Sequence, residues 1–286
     1  LACSRWRSTG LPAVLDATAA CRLPVEARAD AYDYVPVSEV PGAMEWHVNF
    51  SDPRLFVTYG SGLFAQDEMQ VAEHPILGSL REALVAAGEA ALTVEAGRPT
   101  PVLIAGVPRR CRIAVEPNTP AGRPWGLYGN EFARASEDVV RHAVRRLDRP
   151  TITNLIAMAA PSGGSGRYAR SQIEHILETA YTGLRAAVLE SALLRSGAPV
   201  VIHTGFWGCG AFGGNRVLMA LLQILAAGAA GPARLVFHAY DSAGLKLLGE
   251  ACETLERLAR LPQHRSENLV DAIAALSFVW GRSDGN

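Results

Sequence analysis

Apolar segments rich in β-branched residues alternate along the chain with longer segments of helical periodicity, and this alternation constrains the fold more than any other feature. The apolar segments are EWHVNF (45–50), TPVLIAG (100–106), TITNLIAMA (151–159), APVVIHT (198–204) and ARLVFHAY (233–240). Several are continuously apolar, as expected of strands that are covered on both faces. The helical segments are 66–91, 136–147, 168–194, 215–227 and 242–261. The pattern predicts an α/β fold with a central mixed sheet.

Two segments rich in glycine and proline interrupt the alternation. Residues 107–130 are predicted to run over the surface, and PSGGSG (161–166) is predicted to be a loop before a helix. The sequence contains no internal repeat and no clear linker. We therefore predict one domain, 38–286, preceded by an N-terminal extension, 1–37.

The composition excludes several classes of protein. The chain has 286 residues and a net charge of −1, so no overall positive field favours nucleic acid or an anionic membrane. Its most apolar run, VLMALLQILAAGAAG (217–231), is shorter than the roughly 20 residues that a membrane-spanning helix needs. The cysteines form no CxxC pair and the histidines no HExxH motif, so neither a metal site nor a disulfide framework is expected. The first residues lack the apolar core of a signal peptide, and a cytoplasmic location is the default expectation.

Two glycine-containing loops follow predicted strands and precede helices. They are FVTYGSGLFAQDEMQ (56–70) and TGFWGCGAFGGN (204–215). In open α/β sheets, ligands lie beyond the carboxyl ends of the strands, and glycines allow backbone N–H groups to approach a phosphate. Alternatively, the glycines of the second loop make room for Trp207 and Phe212 to enter the core.

Other polar residues also have two interpretations. Asp67 and Glu68 lie in the first turn of a predicted helix, where acidic residues suit the helix dipole, but a buried carboxyl there could equally donate a proton. His203 and His238 are interpreted as core or sheet-end residues. The Arg-rich segment 108–112 is interpreted as a solvated strand edge, with phosphate contact as the alternative.

Taken together, the two loops resemble those of the poly(ADP-ribose) glycohydrolases of the macrodomain superfamily. TGFWGCGAFGGNRVLMALLQILAA is similar to that family's TGNWGCGAFGGD and the helix after it, and VNFSDPRLFVTYGSGLFAQDEM to its VDFAN, GGG and QEE segment. RLVFHAYDSAGL and HILETAYTGLRA resemble a further strand and helix of the family. The matches are collinear and span roughly residues 38–250. The resemblance implies a three-layer α/β/α macrodomain-like sandwich with an ADP-ribose site.

The resemblance also implies roles for individual residues. Glu68 matches the catalytic acid, and Asp67 matches the residue that helps to hold the released ribose. The ligand-binding residues that it implies are Glu39 (adenine), Asn49, Gln66, Tyr128, Thr204, Gly205, Phe206, Gly208, Cys209, Gly210, Ala211, Phe212, Gly213 and Tyr240. The chain departs from the family at 56–58, where FVT replaces GGG. Either this loop follows another path, or the pocket is reshaped by side chains that crowd the distal ribose.

The function implied is hydrolysis of an ADP-ribosyl glycosidic bond, with Glu68 as general acid and the 208–213 loop holding the diphosphate. The substrate would be a modified protein, a modified nucleic acid or a metabolite derived from NAD. No cofactor, metal or obligate protein partner is expected. Two alternatives remain: a non-catalytic module that binds ADP-ribose or an NAD metabolite, and an α/β scaffold without a nucleotide site.

Overall fold

The computed structural model describes residues 1–261 and 265–285. The strands are β1 (Ala2–Arg5), β2 (Val25–Arg28), β3 (Met44–Ser51), β4 (Val94–Glu95), β5 (Arg98–Pro99), β6 (Val102–Ile113), β7 (Val144–Ala159), β8 (Val200–Gly205) and β9 (Arg234–His238). The helices are α1 (Ala17–Arg22), α2 (Gln66–Glu73), α3 (Ile76–Ala86), α4 (Glu137–Ala143), α5 (Arg170–Leu194), α6 (Arg216–Ala230), α7 (Ser242–Ala259) and α8 (Ser266–Ala275).

Seven strands form one mixed sheet in the order β1-β6-β7-β3-β8-β9-β2. From β7 to β2 all neighbouring strands are parallel, whereas β6 is antiparallel to both β1 and β7. The parallel strands therefore end at the same edge of the sheet, and the loops after β3, β8 and β9 meet there. This confirms the predicted α/β fold with a mixed central sheet.

Helices cover both faces of the sheet. Along β7, Ile156 and Met158 pack with the side of the core that contains α5 and α6, while Leu155 and Ala157 pack with the side that contains α3. Each of these four side chains is fully buried. Burial on both faces explains why the strand is continuously apolar, because every side chain faces a helical layer.

The N-terminal segment contributes to the same sheet. β1 pairs with β6 at one edge, and β2 pairs with β9 at the other. Both lie within the segment 1–37, for which the sequence analysis predicted an extension and no strands. The boundary at residue 37 stays a prediction.

Three boundaries differ from the predictions. The helix expected over 66–91 is two helices, because the residue before a proline disfavours helical geometry and His74, which precedes Pro75, caps α2. The helix expected over 136–147 ends at Ala143, where β7 begins and pairs with β6. The predicted surface segment 107–130 begins only after β6 ends at Ile113.

Arg109 shows the consequence of that longer strand. Its guanidinium donates to the Glu73 carboxylate at 2.7 Å and lies 4.4 Å from the centre of the Tyr34 ring. The side chain is buried, so the interpretation of 108–112 as a solvated edge is wrong at this position. A buried guanidinium needs a partner of opposite charge, and Glu73 on α2 supplies it.

No helix among the described residues is long and apolar enough to cross a membrane.

Candidate active site

A cavity of about 740 Å³ opens at the edge of the sheet where the parallel strands end. Its walls come from the loop after β3 together with α2, from the turn after β8, from the residues after β9, and from Trp125 and Tyr128. The predicted site residues that line it are Gln66, Asp67, Glu68, Tyr128, Gly205, Phe206, Gly208, Cys209, Gly210, Ala211, Phe212 and Tyr240. The fold thus brings the two glycine-containing loops together, as the strand-end rule predicts.

The turn after β8 presents backbone N–H groups to this cavity. The N–H groups of Cys209, Gly213 and Gly214 donate to carbonyls of the same turn. Those of Gly208, Gly210, Ala211 and Phe212 donate no hydrogen bond within the described part of the chain. Unpartnered N–H groups close to a helix N-terminus favour an anion, because both present positive potential.

Packing around the turn accounts for the burial of Trp207 and for the glycine at 208. Trp207 is fully buried, and its Nε1 donates to the carbonyl of Met158 at 3.0 Å. At Gly208, which has a φ of +75°, an added Cβ would lie 2.5 Å from the Cβ of Ala160. Trp207 therefore enters the core, as one interpretation of the sequence expects, while residues of the same turn line the cavity. Phosphate binding by this turn stays a prediction.

The side chain of Gln66 fixes the start of α2 against β3. Its Oε1 accepts from the N–H of Phe50 at 2.8 Å, and its Nε2 donates to the carbonyl of Val48 at 3.2 Å. These bonds replace ladder partners at the end of the strand. Gln66 thereby positions the two acidic residues that follow it.

Asp67 is buried, and Asn49 holds it. The Nδ2 of Asn49 donates to Oδ1 of Asp67 at 2.9 Å and to Oε1 of Gln70 at 2.9 Å. Burial, assisted by the nearby carboxylates of Glu68 and Asp52, raises the pKa of Asp67 to about 7, although the bond from Asn49 opposes the shift. A carboxyl group of this kind can be protonated at neutral pH and can donate a hydrogen bond.

Both oxygens of the Glu68 carboxylate already accept hydrogen bonds. Oε2 accepts from the N–H of Ala65 at 2.9 Å, which closes a capping interaction at the start of α2, and Oε1 accepts from the hydroxyl of Thr58. These two bonds fix the orientation of the carboxylate. Glu68 is buried but lines the cavity.

The three residues 56–58 do not all lie at the cavity. Phe56 is fully buried, and its ring packs with Leu55, Val71 and Leu77 below the loop. Its φ of +51° is unusual for a residue with a side chain. Burial of a large ring stabilises the loop in this path. Of the three residues, only Thr58 lines the cavity.

Four predicted ligand-binding residues do not line the cavity. Glu39 is exposed and lies outside it. Asn49 is buried behind Asp67, and the hydroxyl of Thr204 donates to Gln223 on α6. At Gly213, an added Cβ would lie 2.9 Å from the backbone nitrogen of Ser283, so this glycine packs against the C-terminal segment. Asn49 can therefore influence a ligand only indirectly, through Asp67 and Gln70, which it contacts and which line the cavity.

Aromatic side chains surround the mouth of the cavity. Tyr128 and Tyr240 are both exposed in part, and Tyr240 has a φ of +72°. The ring of Phe206 packs edge-on against Phe237 and lies 5.2 Å below the guanidinium of Arg216. These rings offer apolar surface at the opening.

Arg216 and Asp284 are among the lining residues that were not predicted from the sequence. Arg216 is the only Arg or Lys among the described lining residues. The position of Arg216 directly after the glycine-rich turn is a sequence signal that could have predicted its place in the site. Asp284 lies against the turn, and its Oδ2 is 3.0 Å from the position that a Cβ on Gly210 would take. No local signal connects Asp284 with Gly210.

A buried histidine network borders the cavity on the β9 side. His238 contacts the carboxylate of Asp30 at 2.7 Å and His203 at 3.1 Å, and His203 contacts Glu45 at 2.9 Å. Burial lowers the pKa of His238 below its ordinary value. This placement at the end of the sheet agrees with the interpretation of His203 and His238 as sheet-end residues.

Comparison with known proteins gives a match to a family model over part of the chain and a shared fold. Residues 126–246 match the family model described as poly(ADP-ribose) glycohydrolase (PARG), macro domain fold. The chain is similar in structure to the poly(ADP-ribose) glycohydrolase from Thermomonospora curvata bound to the inhibitor ADP-HPD, with a TM-score of 0.55 and 18% identity over 88% of this chain and 84% of that one. At this identity, the likeness shows a shared fold.

A second similar structure is the poly(ADP-ribose) glycohydrolase from Deinococcus radiodurans in complex with ADP-ribose. Its TM-score is 0.48 and its identity 16%, over 85% of this chain and 90% of that one. No curated protein sequence matches the chain.

Proposed function

We propose that this chain, a divergent PARG-like protein with the macro domain fold, hydrolyses the glycosidic bond between ADP-ribose and a leaving group. One observation carries the proposal: the unpartnered N–H groups of the turn after β8 and the buried pair Asp67 and Glu68 line the same cavity. An anion-binding turn and a carboxyl pair are the two parts that this chemistry needs.

In the proposed mechanism, the N–H groups of Gly208, Gly210, Ala211 and Phe212 bind the diphosphate, with Arg216 as the nearby cation. The distal ribose then lies beside α2, next to Asp67 and Glu68. Asp67, which has a raised pKa, hydrogen-bonds a hydroxyl of this ribose. In this arrangement Asp67 positions the ribose, and Glu68, whose side chain is longer by one methylene, transfers the proton.

Glu68 acts first as a general acid. Its proton passes to the leaving atom as the bond from that atom to the ribose breaks, and the ribose acquires oxocarbenium character. Water then attacks the anomeric carbon and loses a proton to the Glu68 carboxylate, which restores the acid. Thr58 and the N–H of Ala65 hold the carboxyl group in place through these steps.

The carboxyl pair is tested by Glu68→Gln, which preserves the shape of the side chain but cannot deliver a proton. We expect turnover to fall about 10²-fold or more, while ADP-ribose binding measured by calorimetry is retained. The protein is incubated with ADP-ribosylated protein, ADP-ribosylated nucleic acid, polymer and NAD-derived metabolites, and released ADP-ribose is quantified.

Glu89→Gln is the matched control, because Glu89 is exposed beyond the end of α3 and should retain full activity. Equal turnover in Glu68→Gln and the parent protein would show that Glu68 is not the general acid.

A non-catalytic ADP-ribose-binding module is the second candidate. The observation that favours it is that both oxygens of Glu68 already accept internal hydrogen bonds. In that case the protein would bind ADP-ribose, and every substrate of the panel would remain intact.

A further inference from the structure

A second, smaller cavity lies beside the candidate active site and shares a wall with it. Its volume is about 300 Å³. It is lined by Tyr59, Gly60, Ser61, Leu63, Phe64, Glu68, Val71, Ala72, Pro75, Gly78 and Phe132. Glu68 and Leu63 line both cavities. Glu68, the proposed general acid, therefore lies in the wall between the two cavities. The proposed mechanism involves only the larger cavity.

The walls of the second cavity are aromatic and aliphatic. The rings of Phe64 and Phe132 stack with their centres 4.5 Å apart and their planes 20° apart. The ring of Tyr59 packs against α3 at Gly78. A Cβ atom added to Gly78 would lie 2.9 Å from Cε2 of Tyr59. The ring can occupy this position because residue 78 has no side chain. The walls of the cavity are therefore suited to bind a flat apolar group.

The charge of this cavity limits what it can hold. Glu68 is its only carboxylate, and no Lys, Arg or His is among its described lining residues. The guanidinium of Arg81, 5.9 Å from the centre of the Tyr59 ring, is paired with Glu82 at 2.8 Å. A phosphate placed here would meet a carboxylate and no cation, and like charges at short range repel strongly where water is scarce.

We propose that the second cavity binds the leaving group, and that this group is a neutral aromatic moiety without phosphate. The inference rests on the proposed function, because a general acid must lie between the ribose and the atom that it protonates. Glu68, in the wall of both cavities, meets this requirement. The second cavity has less than half the volume of the first, which favours a small leaving group.

The test compares two ADP-ribosyl glycosides whose leaving groups have matched acidity but different shape. One carries 2-naphthol, and the other carries hexafluoroisopropanol, so that intrinsic reactivity is similar. We expect kcat/KM to be about tenfold or more higher for the naphthyl compound, the scale of one well-packed aromatic contact. ADP-ribose polymer, whose leaving group carries phosphates, should be hydrolysed more slowly than the naphthyl compound.

Two variants connect the preference with the cavity. Phe132→Ala removes one wall, and Ala72→Leu fills the space from α2. Both should lower kcat/KM for the naphthyl compound by about tenfold and leave that for the hexafluoroisopropyl compound within about twofold. Leu193→Ala, at an exposed position of α5, is the matched control and should change neither value.

The outcomes separate the two proposals. Cleavage of both compounds with equal kcat/KM, or a naphthyl preference that survives both variants, overturns the leaving-group assignment and leaves the proposed function standing. Failure to cleave any ADP-ribosyl compound overturns the proposed function, and the leaving-group assignment fails with it.

Discussion

At the scale of single residues, Thr58 is the feature that most distinguishes this site from the family pattern. It stands at the third position of the FVT segment, where the resembling family has glycine. Phe56 leaves the cavity for the core, but the Thr58 hydroxyl turns inward and donates to Oε1 of Glu68. A substitution that would be expected to block the site instead provides a hydrogen bond to its central carboxylate.

Thr58→Val should therefore reduce turnover without weakening binding. Valine keeps the shape of threonine but cannot hold the carboxylate, and the loss of one hydrogen bond to a charged group corresponds to about tenfold in kcat. KM and the affinity for ADP-ribose should stay within about twofold of the parent. Thr58→Ser, which restores the hydroxyl, should recover most of the activity. A Val variant as active as the parent would show that the Thr58 bond has no role in turnover.

At the scale of elements, the C-terminal segment packs directly against the turn after β8. The Trp280 ring stacks on Tyr168 with their centres 4.2 Å apart, and the side chain of Asn130 donates to the carbonyl of Gly285 at 2.6 Å. Between these two contacts, the carboxylate of Asp284 lies beside Gly210. The chain thus places an anion next to the N–H groups proposed to bind a diphosphate.

Asp284→Asn should raise the affinity for ADP-ribose. The substitution keeps the size of the side chain and removes a charge that repels the diphosphate, and we expect about a fivefold lower Kd at low salt. The gain should shrink as salt is added, because screening weakens both the repulsion and its relief. Calorimetric titration at two salt concentrations measures both effects.

Asp148→Asn makes the same charge change at an exposed position outside the cavity and serves as the control. If both variants change the affinity equally, the effect reflects net charge alone. An unchanged or higher Kd in Asp284→Asn would place the diphosphate away from Gly210.

At the scale of the whole molecule, buried histidines lie within the sheet and beside the cavity, and their pKa values affect the stability of the fold. The rings of His47 and His203 stack 4.2 Å apart between β3 and β8, and His74 at the end of α2 contacts the hydroxyl of Thr153 at 3.0 Å. Burial lowers the pKa of His47, and it lowers the pKa of His74 to about 4. At mildly acidic pH, His47 and His74 are therefore neutral in the folded protein and charged in the unfolded chain.

The free energy of unfolding should therefore fall as the pH decreases from about 7 to 4. A histidine whose pKa is lowered by folding contributes its full stability at pH values above its pKa in the unfolded chain. This stability is lost as the pH falls, because the unfolded chain then binds more protons than the folded protein. Asp67 has the opposite effect in this range, since its pKa is raised to about 7 and its contribution falls as the pH rises. Burial also raises the pKa of Glu73, which acts in the same direction as Asp67. We expect the three histidines with lowered pKa, His47, His74 and His238, to outweigh these two carboxyls.

Chemical denaturation at pH 7.5 and pH 5.0 measures the change. Asp67→Asn removes the contribution of Asp67, which opposes that of the histidines. When the pH is lowered from 7.5 to 5.0, the free energy of unfolding of the variant should therefore fall more than that of the parent. A parent protein that is more stable at pH 5.0 than at pH 7.5 would contradict the histidine account.

The sequence by itself determined the α/β class, the main strands β3 and β6 to β9, and the meeting of the two glycine-containing loops. These features depend on local periodicity and on the rule that parallel strands end at one edge, so neighbouring residues carry the information. Short strands such as β1 and β2 lacked a local signal, because four residues become a strand only when a partner edge is present.

Only the tertiary structure decided how the site is composed. The bond from Thr58 to Glu68, the burial of Phe56, the contact of Asp284 with Gly210 and the exposed position of Glu39 all depend on which distant segments pack together. The second cavity likewise exists because α2, α3 and Phe132 enclose a space beside Glu68. Side-chain direction and enclosed volume are set by packing across the whole chain, and no local pattern encodes them.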